Sequence, residues 1–327
     1  MGRYKRRKHN LIGPAIVLSL FLCLVIVLVG GNLYDNQRQA AILATSATSA
    51  SASTSVTAPT PKPDVIKQIT VAKSGGDYTI ITDAVAHSND SVANPVTILV
   101  MPGTYVESVD LRGRYISIIG NNKETCILKN YLNDYNSPPL NMGANNYIEN
   151  MTIISDQDGS TPIRLGSYGI HHDYPSQVSG LATSKIQNCI VISKQNAAIG
   201  LGLNDRQTAT IDNCELHSYT VYSLYAHNQQ GNGGTQQKLI VKNCRIEVEI
   251  AYAAIMIQDA NHREGGGYED ARDTVMSFYN NTIQSKIAGK NGMLGGDKPL
   301  EKEYFAGYIK LGADSSGNNI PELNVIH

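Results

Sequence analysis

Three segments of the sequence place histidine, aspartate and tyrosine at similar spacings after a tyrosine. They are YGIHHDYP from Tyr168, YSLYAHNQ from Tyr222 and YAAIMIQDANHRE from Tyr252, and NAAIGLGLNDR from Asn196 reads as the same unit. Histidine exchanges a proton near neutral pH and aspartate can orient it, so these residue types suit general acid–base chemistry. Their polar groups would also suit the hydroxyls of a saccharide.

If the first residues of these segments lie above one another, the later residues form columns. Asp173 and His227 then share one column, and His171 and Tyr225 share another. Adjacent strands are about 4.8 Å apart, so residues two coils apart lie within about 10 Å and could contact one bound sugar. We therefore predict His171, Asp173 and His227 as catalytic residues. The predicted substrate-binding residues are His172, Tyr225, Asp205, Arg206, Gln258, Asp259, His262 and Arg263.

These residues also have structural interpretations, which the sequence leaves open. The His-His-Asp strand and His227 could be turn or half-buried residues that bond to the backbone. HREGGGYEDARD (262–273) could be a solvated loop, although its glycines would also suit a flap over a site. Asp205 and Arg206 could form an ordinary surface ion pair. The sequence predicts no cofactor, although Asp173 and a histidine could hold a divalent cation.

A phrase that recurs five times indicates the elements that would position these residues. Asparagine stands between two short runs of alternating apolar and polar residues at positions 150, 188, 213, 243 and 280. The alternation is typical of strands, and asparagine tolerates the left-handed backbone of a tight bend. The intervals of 38, 25, 30 and 37 residues indicate a solenoid.

Stacking of these units predicts a parallel β-helix, with an antiparallel sandwich as the alternative. In the β-helix, equivalent residues of successive coils form columns. Five residues that follow the asparagines would form one such column: Met151, Cys189, Cys214, Cys244 and Asn281. We predict that the cysteines are buried, unpaired thiols, and no CxxC or matching histidine pair indicates a zinc site.

The opening of the predicted fold resembles a known family. VAKSGGDYTIITDAVAHS, VTILVMPGTYVESVDL and YISIIGNNKETCILKN, within residues 69–130, resemble the first segments of pectin methylesterases and, more broadly, of the pectin-lyase-like superfamily. Residues 186–250 match more loosely through their Asn-Cys strands. The resemblance implies an all-β fold, a single-stranded right-handed parallel β-helix with an N-terminal capping helix. Asp77 or Thr79 is expected to cap that helix.

The chemistry of that family depends on two aspartates with glutamine and arginine, and this sequence departs from it. Aligned on Cys214, Thr220 and Val221 stand where glutamine and aspartate are expected. Aligned on Cys244, Ala251 stands at the second aspartate, and the Arg-Pro-Trp signature is impossible in a chain without tryptophan. We therefore do not expect standard pectin methylesterase activity.

The residues before the predicted fold suggest a membrane protein. Residues 1–10 are basic and predict a cytoplasmic tail, and residues 11–31 are uncharged over a length that can span a bilayer, which predicts a transmembrane signal anchor. A cleaved signal peptide is the alternative. Residues 32–63 predict a disordered Ser/Thr/Ala/Pro-rich spacer. Residues 64–327 would then be an extracellular β-helix domain of a single-pass protein in the cell membrane.

These features together predict the function. The formal net charge of −1 gives no electrostatic argument for nucleic acid. We predict a membrane-anchored cell-surface protein whose partner is a polysaccharide or cell-wall glycan. It would cleave or de-esterify that partner through the His/Asp patch, as a lyase, hydrolase or esterase. The alternative is a non-catalytic polysaccharide-binding or adhesive surface protein.

Overall fold

The computed structural model describes residues 67–130, 137–156, 167–172, 181–228, 236–250, 253–258, 274–286, 292–294, 298–299 and 309–325. Within these residues the regular structure is almost entirely β-strand, and the strands pair in parallel in three sheets. Successive strands pass from one sheet to the next, so each coil adds a rung to each sheet. This is the arrangement of a parallel β-helix, and it excludes the antiparallel sandwich.

The strands are numbered in chain order. Sheet 1 contains β1 (Lys67–Val71), β2 (Val96–Val100), β5 (Ile116–Gly120), β8 (Tyr147–Glu149), β11 (Ala182–Gln187), β14 (Gln207–Asp212), β17 (Lys238–Lys242), β20 (Thr274–Tyr279) and β24 (Ile309–Leu311). Sheet 2 contains β3 (Gly103–Val106), β6 (Cys126–Asn130), β9 (Thr152–Ser155), β12 (Ile190–Ser193), β15 (Glu215–Ser218), β18 (Arg245–Val248) and β21 (Thr282–Ser285). Sheet 3 contains β4 (Val109–Asp110), β7 (Leu140–Asn141), β10 (Ile170–His172), β13 (Ile199–Leu203), β16 (Leu224–Asn228), β19 (Ile255–Gln258), β22 (Gly292–Leu294) and β23 (Lys298–Pro299), the last two antiparallel.

The interior is held together by columns of like residues. In sheet 1 one inward position is apolar on eight successive rungs, and every member is buried. Burial of each such side chain contributes roughly 1.5–3 kcal/mol to stability. The column consists of Ile69, Ile98, Ile118, Ile148, Ile186, Ile211, Val241 and Phe278.

The repeated asparagines form the bend between sheets 1 and 2, as predicted. Each has a left-handed backbone, with φ between 48° and 56° at Asn150, Asn188, Asn213, Asn243 and Asn280. Their side chains also bond between coils, since the amide of Asn188 donates to Asn150 Oδ1 at 2.6 Å and that of Asn213 donates to Asn188 Oδ1 at 3.2 Å. Asparagine therefore serves both the bend and the contact between coils.

The predicted cysteine column is confirmed. Each cysteine carbonyl of the column accepts a 2.9 Å hydrogen bond from a backbone N–H group of the next coil. The donors are Glu215 for Cys189, Arg245 for Cys214 and Thr282 for Cys244. These three thiols, and that of Cys126, are buried and unpaired. Burial raises the pKa of the Cys189 thiol. The cysteines therefore act as small core residues.

The predicted capping helix is α1 (Ile81–Ala86), and a 3-10 helix follows much later at Pro321–Leu323. The expectation that Asp77 or Thr79 caps α1 is wrong, because the N-cap residue is Ile80 and makes no side-chain cap. The carboxylate of Glu107 instead accepts hydrogen bonds from the backbone N–H groups of Ile81 (2.9 Å) and Thr82 (2.7 Å). A carboxylate suits this helix end because its first N–H groups lack helical partners.

The predicted membrane location is corrected by the structure. No helix among the described residues is long and apolar enough to cross a bilayer. The longest, α1, has six residues, whereas a spanning helix needs about 20. Residues 1–10, 11–31 and 32–63, to which the tail, anchor and spacer were assigned, lie outside the described residues. The domain boundary at residue 64 stays a prediction.

Candidate functional site: the outward face of sheet 3

Sheet 3 carries five of the seven predicted site residues that the structure describes. In β10, Ile170 belongs to the buried core, and side chains alternate along a strand, so His171 belongs to the outward face. On the next rungs, Gly200 and then Tyr225 stand in register with His171, and Met256 follows them. The expected column of His171 and Tyr225 is therefore present, with glycine between them.

Two groups of rings lie on this face, one on the coil of β10 and one on the coil of β16. His171 is 6% exposed, and its ring stacks on that of Tyr168 at a centroid distance of 4.9 Å and an interplanar angle of 22°. The ring of Tyr225 lies 6.3 Å from that of Tyr222 and 5.3 Å from that of His227. We call these five residues the aromatic strip.

Glycine at position 200 makes room for the strip. A Cβ atom at Gly200 would lie 2.6 Å from Cε1 of Tyr168, closer than real Cβ contacts. The Tyr168 ring can therefore lie directly against the backbone of β13. Glycine is the residue that permits such a close approach.

His227 stands one outward position further along its strand than Tyr225. Its rung neighbour on β19 is Gln258, whose Oε1 accepts a hydrogen bond from the hydroxyl of Tyr225. Nδ1 of His227 lies 3.0 Å from the carbonyl oxygen of Asn228. A carbonyl only accepts, so Nδ1 carries the proton in this bond and Nε2 of the neutral ring is an acceptor. His227 is half-buried and has the tautomer that a general base needs.

His172 faces the interior of the β-helix. It is 1% exposed, and its Nε2 lies 2.8 Å from Ser184 Oγ and 3.1 Å from Gln207 Nε2. Asn204 donates to Gln207 Oε1 from its backbone N–H (2.9 Å) and its side chain (3.0 Å), which orients the amide so that Nε2 faces the histidine. These contacts favour the structural interpretation of His172, and its role in substrate binding stays a prediction. Alternation explains this, because only one of two consecutive histidines can face outward.

The remaining predicted site residues divide into two groups. Asp205 and Arg206 pair with each other, Nε to Oδ2 at 2.9 Å, with side chains 34% and 43% exposed. This favours the ordinary ion pair for these two residues. The other residues lie outside the described part of the chain, so their roles and the column of Asp173 with His227 stay predictions. They are Asp173, Asp259, His262 and Arg263, with the predicted loop 262–273.

Two positions aligned with the esterase residues, Thr220 and Val221, are not acidic, and the Thr220 hydroxyl and the Val221 side chain are buried. Val221 is 3% exposed and packs with Tyr222, Ala253 and Met256. Next to it, the hydroxyl of Thr220 is buried without a hydrogen-bond partner. A carboxylate at Val221 would be costly, since burying a charge without a partner is strongly unfavourable.

No metal site is formed by the part of the chain that the structure describes. Within it, no three His, Cys, Asp or Glu side chains come close enough to hold an ion. Asp173, the residue considered as a ligand, is not among those residues. A divalent cation at this face therefore stays an untested alternative.

Sequence reasoning missed a second polar constellation, on the outward face of sheet 1. The hydroxyl of Tyr147 donates to Glu149 Oε2 at 2.5 Å and to Gln187 Oε1 at 3.1 Å. Burial, followed by the Glu149 carboxylate, raises the pKa of Tyr147. The signal was present in the asparagine phrases themselves, where polar residues flank each inward isoleucine, as in Lys185-Ile186-Gln187.

Comparisons with known proteins give matches among solved structures. No protein-family model and no curated protein matches the sequence. Among solved structures, the chain is similar to pectin methylesterase from carrot (14% identity, 74% of this chain and 91% of that chain, TM-score 0.39) and to pectin methylesterase PemA from Erwinia chrysanthemi (15%, 70% and 80%, 0.43). It is also similar to the catalytic domain of a GH87 alpha-1,3-glucanase (13%, 81% and 71%, 0.24). Likenesses this low carry no conclusion about activity.

Proposed function

We propose that the protein binds a polysaccharide along the outward face of sheet 3. The observation that carries this proposal is the aromatic strip. Tyr168 and His171 stack on one coil, and Tyr225 contacts Tyr222 and His227 two coils further along, at centroid distances of 4.9–6.3 Å. Such rings combine an apolar face with a polar edge, and saccharides have both kinds of surface. Tyr225 and His227 are half-buried and would meet the ligand, whereas Tyr168, His171 and Tyr222 are buried beside them.

Polar groups beside the strip support the same ligand class. Gln258 accepts a hydrogen bond from Tyr225 and is half-buried, so its amide N–H groups can meet sugar hydroxyls. A ligand site of this kind combines apolar or aromatic surface with a few polar groups that orient the ligand.

A second candidate function is cleavage or de-esterification of the bound polysaccharide. It is favoured by His227, whose Nδ1 bonds to the Asn228 carbonyl and leaves Nε2 as a proton acceptor. In this reaction His227 would take a proton from the attacking group or from the sugar. It would not be the standard pectin methylesterase reaction, because Thr220 and Val221 replace the residues that the family uses.

A polysaccharide panel tests both candidates with the full-length chain. The readouts are retention on each immobilised polysaccharide and release of reducing ends or acid. The decisive readout is retention on neutral polysaccharides, and we expect Tyr225→Ala to abolish it. If the protein is an enzyme, His227→Gln should abolish product release and keep retention. Tyr219→Ala is the matched control, since Tyr219 is 43% exposed outside the strip. Retention that survives Tyr225→Ala unchanged would contradict the proposed face.

A further inference from the structure

A separate cavity lies on the outward face of sheet 1. It has a volume of about 400 Å³ and is lined by nine residues in or beside four neighbouring strands, β5, β8, β11 and β14. All nine have side chains that can hydrogen-bond, and none is a carboxylate. They include Asn145, Tyr147, Thr183, Lys185, Thr208 and Thr210. A lining without a single apolar side chain suits a ligand rich in hydroxyl groups.

Several of these polar groups are available to a ligand. Within the described part of the chain, no protein group bonds to the side chains of Ser117, Asn145, Thr183, Thr208 or Thr210. All five are half-buried or exposed. They therefore offer four hydroxyls and one amide to whatever enters the cavity.

The register of the strands arranges these groups in rows. Ser117, Tyr147, Lys185 and Thr210 stand in register on four successive rungs. At about 4.8 Å per rung, this row extends over about 14 Å along the β-helix. The row has room for more than one sugar residue of an extended chain.

Lys185 is the one charged residue of the lining, and its charge is incompletely neutralised. Its Nζ lies 4.0 Å from Asp212 Oδ2, whereas Lys242 Nζ is nearer to the same oxygen, at 3.2 Å. Asn243 donates to the other oxygen of Asp212 at 3.2 Å. Asp212 is thus bound by other partners, and the Lys185 side chain remains 38% exposed. The ammonium can pair with an anionic group of a ligand.

The Tyr147 ring forms a fixed wall of this cavity. Its hydroxyl is engaged by Glu149 and Gln187, and Lys185 Nζ lies 5.8 Å from the ring centroid. A ring held in this way presents a rigid face to a sugar, beside the one cation of the lining.

We propose that this cavity is a second carbohydrate site, which binds a saccharide that carries a carboxylate. The sugar hydroxyls bond to Ser117, Thr183, Thr208 and Thr210, and the carboxylate pairs with Lys185. The site lies on a different sheet from the aromatic strip and does not depend on it.

Titration calorimetry of the full-length chain with glucuronic acid and with glucose tests this proposal. The Tyr225→Ala background removes the contribution of the aromatic strip. In that background we expect glucuronic acid to bind more tightly than glucose. Lys185→Gln should lower the affinity for glucuronic acid about tenfold, as for loss of a charged hydrogen bond. Glucose binding should change less than twofold.

Two further variants complete the experiment. Lys310→Gln removes an exposed lysine from the same sheet, on the last rung, and should change neither affinity. Thr210→Val keeps the shape of the residue but removes its hydroxyl, and should lower the affinity for both sugars. The proposal is overturned if the Tyr225→Ala protein binds neither sugar, or if Lys185→Gln leaves the preference for glucuronic acid intact. The effect of Tyr225→Ala on polysaccharide retention tests the aromatic strip, whereas sugar binding by the Tyr225→Ala protein tests this cavity.

Discussion

The ring of Tyr168 lies over the backbone of Gly200, in the space that a side chain at position 200 would fill. A Cβ atom there would lie 2.6–2.8 Å from three atoms of the ring. The same ring stacks on His171, so the contact between Tyr168 and Gly200 sets the position of one end of the aromatic strip.

Gly200→Ala should therefore displace the Tyr168 ring. We expect a loss of about 1–3 kcal/mol in the free energy of unfolding, as for overpacking of a close-packed site, together with weaker polysaccharide retention. Urea unfolding monitored by circular dichroism measures the first effect. Tyr168→Ala combined with Gly200→Ala should cost less than the sum of the single changes, because the clash is absent. Additive losses would argue against the contact.

Glu107 should stabilise α1 as a cap provided from a distant part of the sequence. Its carboxylate accepts from two backbone N–H groups and from the hydroxyl of Thr82. Glu107→Ala removes all three bonds, and we expect it to lower the free energy of unfolding by about 1 kcal/mol, as for loss of a helix cap. Glu124→Ala changes an exposed glutamate and serves as control. Equal stability of the two variants would refute the capping role.

Asp156 should make stability depend on pH. Hydrogen bonds from Lys129 (2.5 Å) and Lys194 hold the pKa of this carboxyl below its usual value. Because the folded pKa is depressed, the stabilisation is present above the unfolded pKa of about 3.9 and is lost as pH falls through the folded value.

Asp156→Asn should accordingly lower the free energy of unfolding at pH 7 by about 0.5–1 kcal/mol, the usual range for a partly exposed ion pair. The difference from the unmodified protein should shrink below pH 4. Urea titrations at pH 7, 5 and 3 measure it. A difference that stays constant across these pH values would exclude the ion pairs as its cause.

The architecture could be predicted because its signals are local and repeated. Each asparagine bend and each alternating run is readable within ten residues, and the stacking of Cys189, Cys214 and Cys244 follows once the repeat is seen. The cap by Glu107 could not be read in this way, since it lies about 25 residues from the helix and depends on how two coils meet.

The candidate site was harder to predict because one-residue errors matter in strands. Four residues stand in register on successive coils of sheet 3: Ile170, Ile199, Leu224 and Ile255. Ile170 and Leu224 come two residues after Tyr168 and Tyr222, whereas Ile199 and Ile255 come three residues after Asn196 and Tyr252. The repeat units that start at Asn196 and Tyr252 are therefore displaced by one residue. Such a shift moves a side chain to the opposite face. The Tyr147 constellation was missed for another reason, because Gln187 lies on the next coil from Tyr147 and Glu149, so no short segment contains all three.

His172 provides the sharpest test of which histidines serve structure. Its contacts with Ser184 and Gln207 are internal, so His172→Leu should leave polysaccharide retention unchanged. The same change should lower the free energy of unfolding by about 1–3 kcal/mol, because it removes a partner from a buried polar group. Ser184 and Gln207 still bond to each other at 2.9 Å, so the variant should fold. Polysaccharide retention is measured at a temperature well below the midpoint of thermal unfolding. The His227→Gln protein is measured in parallel, with product release as the second readout. Glu107→Ala is the destabilised control, because Glu107 caps α1 and lies outside the aromatic strip. Retention lost in His172→Leu but kept in Glu107→Ala would show that His172 takes part in binding.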